Sequence, residues 1–186
     1  MSDTLRRGCG DTELYESLRV SALRLAVRIE DPSARLAPLC DILWDALSPR
    51  GLSWVGFYLE DSETPAGHDG GGMVLAARRD KPACSPIGLH GVCGQSFVEE
   101  AVRLVEDVAL LGAGYIACDP RDRSEVVIPI YRAGGRWGVL DADSHEVACF
   151  GTPDILGLCS VLRAAGLLEK DLPVRADRLQ RTRESL

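Results

Sequence analysis

The sequence predicts an α+β domain: a central antiparallel sheet with the N- and C-terminal helices on one face and a ligand pocket under loops on the other. Three observations carry this prediction. Apolar residues recur at helical spacing in the first fifty positions, the middle of the chain alternates with period two, and a capped helical segment closes it. At 186 residues and 46% hydrophobic, the chain is long enough for one well-buried core and too short for two.

The first helix is predicted over residues 11–30, where Leu14, Leu18, Ala22, Leu25 and Ile29 form one stripe and Asp11 or Thr12 can cap it. Asp31-Pro32-Ser33 interrupts the pattern. A second helix follows from Ser33 to Leu47, with Leu36, Leu39, Cys40, Leu43 and Leu47 on one side.

Residues 53–59 alternate Trp54, Gly56 and Tyr58 against Val55, Phe57 and Leu59, which reads as a strand with one aliphatic and one amphipathic aromatic face. The segment from Asp61 to Gly72, with Pro65, Gly67 and three consecutive glycines, is a turn, and residues 73–77 are the returning strand. Residues 78–94 have little periodicity but hold Cys84 and Cys93 among Pro82, Pro86, Gly88 and Gly91, the pattern of a long binding loop. A short helix at 95–100, a strand at 102–106 and a loop through Cys118 come next. Strands at 125–131 and 135–143 are joined by a tight Gly134-Gly135 turn. The last helix spans 153–167, with Thr152 as N-cap, Pro153 in the first position and Asp154 in the first turn. The domain is thus set at 11–167, and 168–186 is a short charged tail that lies loosely on the surface.

Strand parity locates the chemistry. Asp141 and Asp143 must share a face with Trp137 and Val139, while Gly138, Leu140 and Ala142 take the other. Glu125 opens a strand whose opposite face is Val126, Ile128 and Ile130. Carboxylates on one face of apolar strands repel and lose solvation, so a cationic or proton-sharing ligand is the reason to keep them there.

A formal charge of −7 argues against nucleic acid or an anionic membrane as the partner. No apolar run reaches the roughly 20 residues of a membrane helix, and the first residues have no secretory pattern. Seven cysteines at irregular spacing fit reduced thiols, so a cytoplasmic location is expected. Cys40, Cys149 and Cys159 sit in apolar contexts and read as core, and Trp44 and Trp137 as core or interface. With no C-x-x-C pair and no ligand spacing from His68, His90 or His145, no metal or cofactor is expected.

Trp54 to Tyr58, Lys81-Pro82-Ala83-Cys84, Gly91-Val92-Cys93-Gly94, Ile116-Ala117-Cys118-Asp119, Ser124-Glu125-Val126-Val127-Ile128-Pro129 and Gly138-Val139-Leu140-Asp141-Ala142-Asp143-Ser144, in this order, resemble the free methionine-(R)-sulfoxide reductases, enzymes with a GAF fold. The similarity covers residues 14–167. It departs at Ala77-Arg78-Arg79-Asp80, where relatives carry an aromatic and glycine-rich run. The resemblance implies reduction of free methionine (R)-sulfoxide, with Cys118 as nucleophile, Cys84 as resolving cysteine and Cys93 as a further exchanging thiol. It assigns Glu125, Asp141 and Asp143 to the substrate, Trp54 and Tyr58 to its methyl group, thioredoxin as reductant, and a homodimer.

Chemistry supports these roles. Glu125 and Asp143, kept neutral by neighbouring acids, can protonate the departing oxygen, and ionised Asp141 can pair with the substrate ammonium. Either Arg121 and Arg123, near in sequence, or the ammonium of the bound substrate can offset the acidic surroundings of Cys118. The competing functions are a GAF module that only binds a small ligand, and a thiol redox sensor that needs the cysteines but not the carboxylates.

Overall fold

The computed structural model describes residues 9–61, 72–114 and 118–177. Its elements are α1 (Thr12–Arg28), α2 (Pro32–Leu47), β1 (Leu52–Asp61), β2 (Gly72–Arg79), α3 (Val92–Glu99), β3 (Val102–Val105), β4 (Ser124–Arg132), β5 (Gly135–Ser144), α4 (Thr152–Ala164) and β6 (Val174–Asp177), with 3₁₀ turns at Ser48–Arg50 and Val108–Gly114. The six strands form one sheet in the order β2-β1-β5-β4-β3-β6, antiparallel except for the β3·β6 pair. The α+β expectation holds, with one parallel pair added by the tail. The loop expected between 61 and 72 lies largely outside the described residues.

Local chemistry explains the helix starts. The Asp11 carboxylate accepts from the Leu14 N–H at 2.9 Å, and Asp31 accepts from Ser33 N–H ahead of Pro32 in the first turn of α2. The helical pattern is interrupted between Arg28 and Pro32 as expected, and Pro32 itself is the first residue of α2. The cap of α4 differs from the expectation: Gly151 is the N-cap, and Asp154, three residues on, reaches back to the Gly151 N–H at 2.7 Å. Asp154 is fully buried and also accepts from the Gly10 N–H and the Tyr15 hydroxyl, tying the first described residues to α1 and α4. It stops at Ala164, short of the expected 167.

Parity predicts the two cores. Val55 and Phe57 of β1, Val126, Ile128 and Ile130 of β4, and Leu140 and Ala142 of β5 meet the buried stripes of α1, α2 and α4. All five residues expected to form the α2 stripe are buried. At about 1.5–3 kcal/mol for each fully buried large aliphatic side chain, this layer is the main source of stability. Trp54, Tyr58, Val127 and Val139 on the opposite face pack with Met73, Val92, Cys93 and Phe97 of β2 and α3.

Four local expectations are corrected. The β4–β5 turn is Ala133-Gly134, both at positive φ (50° and 77°), flanked by the paired Arg132 and Gly135, so the tight turn sits one residue earlier than Gly134-Gly135. Trp137 packs against the helix-side core, because the β4·β5 register shifts beside Ile130 and Tyr131 and passes over it. The helix expected at 95–100 starts at Val92, which places Cys93 in its first turn instead of in the loop. The segment expected to lie loosely supplies β6, though three of its four residues are exposed. Among the described residues, no helix is long and apolar enough to cross a membrane.

Candidate active site

The eight residues singled out from sequence, Trp54, Tyr58, Cys84, Cys93, Cys118, Glu125, Asp141 and Asp143, all line one cavity of about 310 Å³ on the sheet face opposite the terminal helices. Registration brings them together. Trp54 pairs with Asp143 and Gly56 with Asp141 across β1·β5, while Glu125 pairs with Asp143 across β4·β5. Three neighbouring strands thus aim side chains of the same parity into one space. Gly56 lies between Trp54 and Tyr58, where a Cβ would come within 2.3 Å of the Trp54 ring, so glycine lets that ring lie along the wall.

Both aromatics use their polar atoms on the overlying loop. The Trp54 indole N–H donates to the Lys81 carbonyl at 3.0 Å and the Tyr58 hydroxyl to the Cys84 carbonyl at 2.9 Å. The two rings stand 6.0 Å apart and tilted by 33°. They form an apolar wall and also fix the loop that carries Cys84.

Glu125, Asp141 and Asp143 bring a carboxylate oxygen each within 4.8 Å of one another, compact enough to hold a cation or a shared proton. Burial first, then the charges of Asp141 and Glu125, push the Asp143 carboxyl well above the usual carboxylate range. Burial pushes Asp141 to about 7, against a hydrogen bond from the Cys93 thiol at 3.2 Å that favours its ionised form. One oxygen of Asp141 accepts this bond, and the other is buried with no hydrogen-bond partner among the described residues. Burial raises the proton affinity of both carboxyls, and the Cys93 hydrogen bond favours the ionised form of Asp141, which suits Asp143 to the role of acid and Asp141 to that of ammonium ligand.

The three thiols are not equivalent. Cys93 is buried, and its proton is held tightly by burial and by the charge of Asp141. Cys84 and Cys118 are exposed at the cavity mouth. The Cys118 thiol is pushed up to about 12, first by desolvation against the wall and then by hydrogen bonding with the Cys84 thiol, while the Cys84 main chain acts the other way.

The expected role of Arg121 and Arg123 beside Cys118 is not seen. Arg121 makes a two-pronged contact with Asp119 at 3.1 and 2.8 Å, and Arg123 reaches Asp107 at 3.5 Å. Lys81 also pairs with Asp119, so that carboxylate is neutralised locally and held well below its ordinary pKa by Arg121 and Lys81. Asp119, Asp122 and His145 form a second compact group, but with these cations already in place.

Sequence reasoning missed Asp122 and His90, which also line the cavity. Asp122 lies in the turn Asp119-Pro120-Arg121-Asp122, outside any periodic segment, and only its position three residues before Glu125 marks it.

No protein-family model matches the chain. It is 38% identical over 152 residues to GAF domain-containing protein A of Dictyostelium discoideum, covering 81% of this chain and 89% of that one. It is 34% identical over 149 residues to the free methionine-R-sulfoxide reductase of Escherichia coli strain K12, covering 79% and 83%. The structure of the Neisseria meningitidis free methionine-R-sulfoxide reductase in complex with its substrate superposes with a TM-score of 0.72 at 30% identity, over 86% of this chain and 91% of the other. Agreement in sequence and in fold identifies the chain as a member of the free methionine-R-sulfoxide reductase family, built on a GAF fold.

Proposed function

We propose that this protein reduces free methionine (R)-sulfoxide to methionine by thiol chemistry. The observation that carries the reading is a pair of exposed thiols, Cys118 and Cys84, at the mouth of a cavity with an acid cluster and an aromatic wall. The Cys118 sulfur attacks the sulfoxide sulfur as its own proton passes into the acid cluster, replacing the one that Asp143 gives up, while ionised Asp141 stays paired with the substrate ammonium. Neutral Asp143 gives its proton to the sulfoxide oxygen. The substrate's sulfur–oxygen bond and the transient sulfur–sulfur bond break as the hydroxyl transfers to the Cys118 sulfur; methionine leaves reduced by two electrons, and Cys118 is left as sulfenic acid.

Cys84 then condenses with the sulfenic acid, its thiol proton and the hydroxyl leaving as water and a disulfide forming. Thioredoxin's dithiol reduces that disulfide by exchange. The exposure of Cys84 and its interaction with Cys118 favour it over buried Cys93 as resolving thiol. Glu125 keeps the acid cluster protonated, and Trp54 and Tyr58 enclose the methyl group. Preference for the free amino acid rests on Asp141 pairing with its ammonium, a charge that a peptide residue lacks. The enzyme acts in the cytoplasm as a homodimer, a reading supported by Leu23, Val27 and Leu156, which are exposed on α1 and α4.

The test is NADPH oxidation coupled through thioredoxin reductase and thioredoxin, with free methionine (R)-sulfoxide as substrate. Turnover by the wild type and none by Cys118→Ser is expected. Ligand binding without turnover would favour a sensor module, and turnover surviving Cys118→Ser would exclude the mechanism.

A further inference from the structure

We propose that Asp122, held between the substrate cavity and the surface imidazole of His145, is a positioning residue that sets how firmly the Asp141–Asp143 pair holds its proton. This rests on the functional reading above, in which that proton is delivered to the sulfoxide oxygen.

The geometry gives Asp122 two sides. Only 5% exposed, it contributes to the cavity wall beside Glu125, Asp141 and Asp143. On the other side its carboxylate lies 3.6 Å from His145 Nε2, whose ring is 37% exposed and opens onto a separate surface cleft. Ser53 of β1 donates to the same oxygen at 3.4 Å. The charged groups around it are Asp119 in its own turn, Lys81 from the loop after β2, His145 from the end of β5, and the cavity acids of β4 and β5. Arg121 and Arg123 are engaged by Asp119 and Asp107.

Asp122 is thus the cavity acid in contact with an imidazole at the surface. Burial and Asp119 raise its own proton affinity, and Lys81, His145 and Ser53 lower it. Its charge in turn raises the proton affinity of both Asp141 and Asp143. A negative charge here keeps the donor loaded, and His145 helps to keep Asp122 negative.

The experiment is ¹³C NMR titration of the aspartate carboxyls, with kcat–pH profiles, for the wild type, Asp122→Asn and His145→Gln. Asn has the same shape as Asp and retains an acceptor for Ser53. In Asp122→Asn the midpoints of Asp141 and Asp143 are both expected to fall, that of Asp141 by about one pH unit, and the alkaline limb of kcat with that of the donor Asp143. In His145→Gln, an exposed substitution that leaves the fold intact, the Asp122 midpoint is expected to rise. Unmoved Asp141 midpoint and limb in Asp122→Asn overturn the inference while wild-type turnover keeps the functional reading. A moved midpoint in a protein with no turnover of free methionine (R)-sulfoxide overturns that reading and leaves the electrostatic coupling standing. A loss of kcat equal at every pH would mean that Asp122 only supports the structure, and would also overturn the inference.

Discussion

Replacing Asp141 with Asn should make the protein more stable in alkali while weakening substrate binding. The folded-state pKa of Asp141 is raised from 3.8 to about 7, chiefly by burial. Between those values the folded protein retains a proton that the unfolded chain has released, so stability falls as pH rises through the window and levels off above it. At about 1.4 kcal/mol per pH unit, Asp141 removes about 4 kcal/mol by pH 8, of which about 2 is already gone at pH 5. Asn cannot ionise, and its carbonyl still accepts from the Cys93 thiol. The stability of Asp141→Asn relative to the wild type should therefore grow by roughly 2 to 3 kcal/mol between pH 5 and pH 8. Urea unfolding at the two pH values measures it, with m checked for constancy. The same variant should raise KM for free methionine (R)-sulfoxide, since the ammonium loses its counter-charge. A stability difference that does not change with pH would refute the account of a buried, proton-holding Asp141.

Tyr58→Phe removes the hydroxyl that holds the Cys84 carbonyl; it should cost about 1 kcal/mol in urea unfolding and slow multiple turnover more than the single-turnover burst, because only the second requires Cys84 to meet Cys118. Asp154→Ala strips acceptors from the Gly10 N–H, the Tyr15 hydroxyl and the Gly151 N–H at once, so unfolding stability should drop by about 3 kcal/mol or more, with kcat at low temperature little changed. Gly56→Ala pushes a methyl group into the Trp54 ring; the ring must swing from the wall, and KM should rise several-fold in steady-state assays while the sheet's circular dichroism is retained.

Strand parity carries much information here because a strand has only two faces and burial distinguishes them. Val126, Ile128 and Ile130 had to face the core, which left Glu125 on the other side with Val127. That argument failed at Trp137, where a register shift breaks the alternation, and Trp137 joined the helix-side core. Helix stripes were equally legible, but their ends were not. Caps depend on which backbone group a side chain reaches, and at α4 Asp154 selected Gly151 over Thr152 as the N-cap.

The cavity acids were readable because they interrupt apolar strands, whereas Asp122 lies in a turn with no pattern to interrupt. Charge neighbours were no better marked: Arg121 and Arg123 follow Cys118 closely in sequence, yet their long side chains turned to Asp119 and Asp107.

Period and composition by themselves determined the layer architecture and the faces on which thiols, acids and aromatics fall, since both follow from the local geometry of helix and strand. Tertiary structure decided which exposed thiol lies by Cys118, which carboxyl keeps a proton, and that Asp122 joins them. Those properties depend on distances of a few ångströms and on burial between segments far apart in the chain, which only the packed sheet and its covering loop can set.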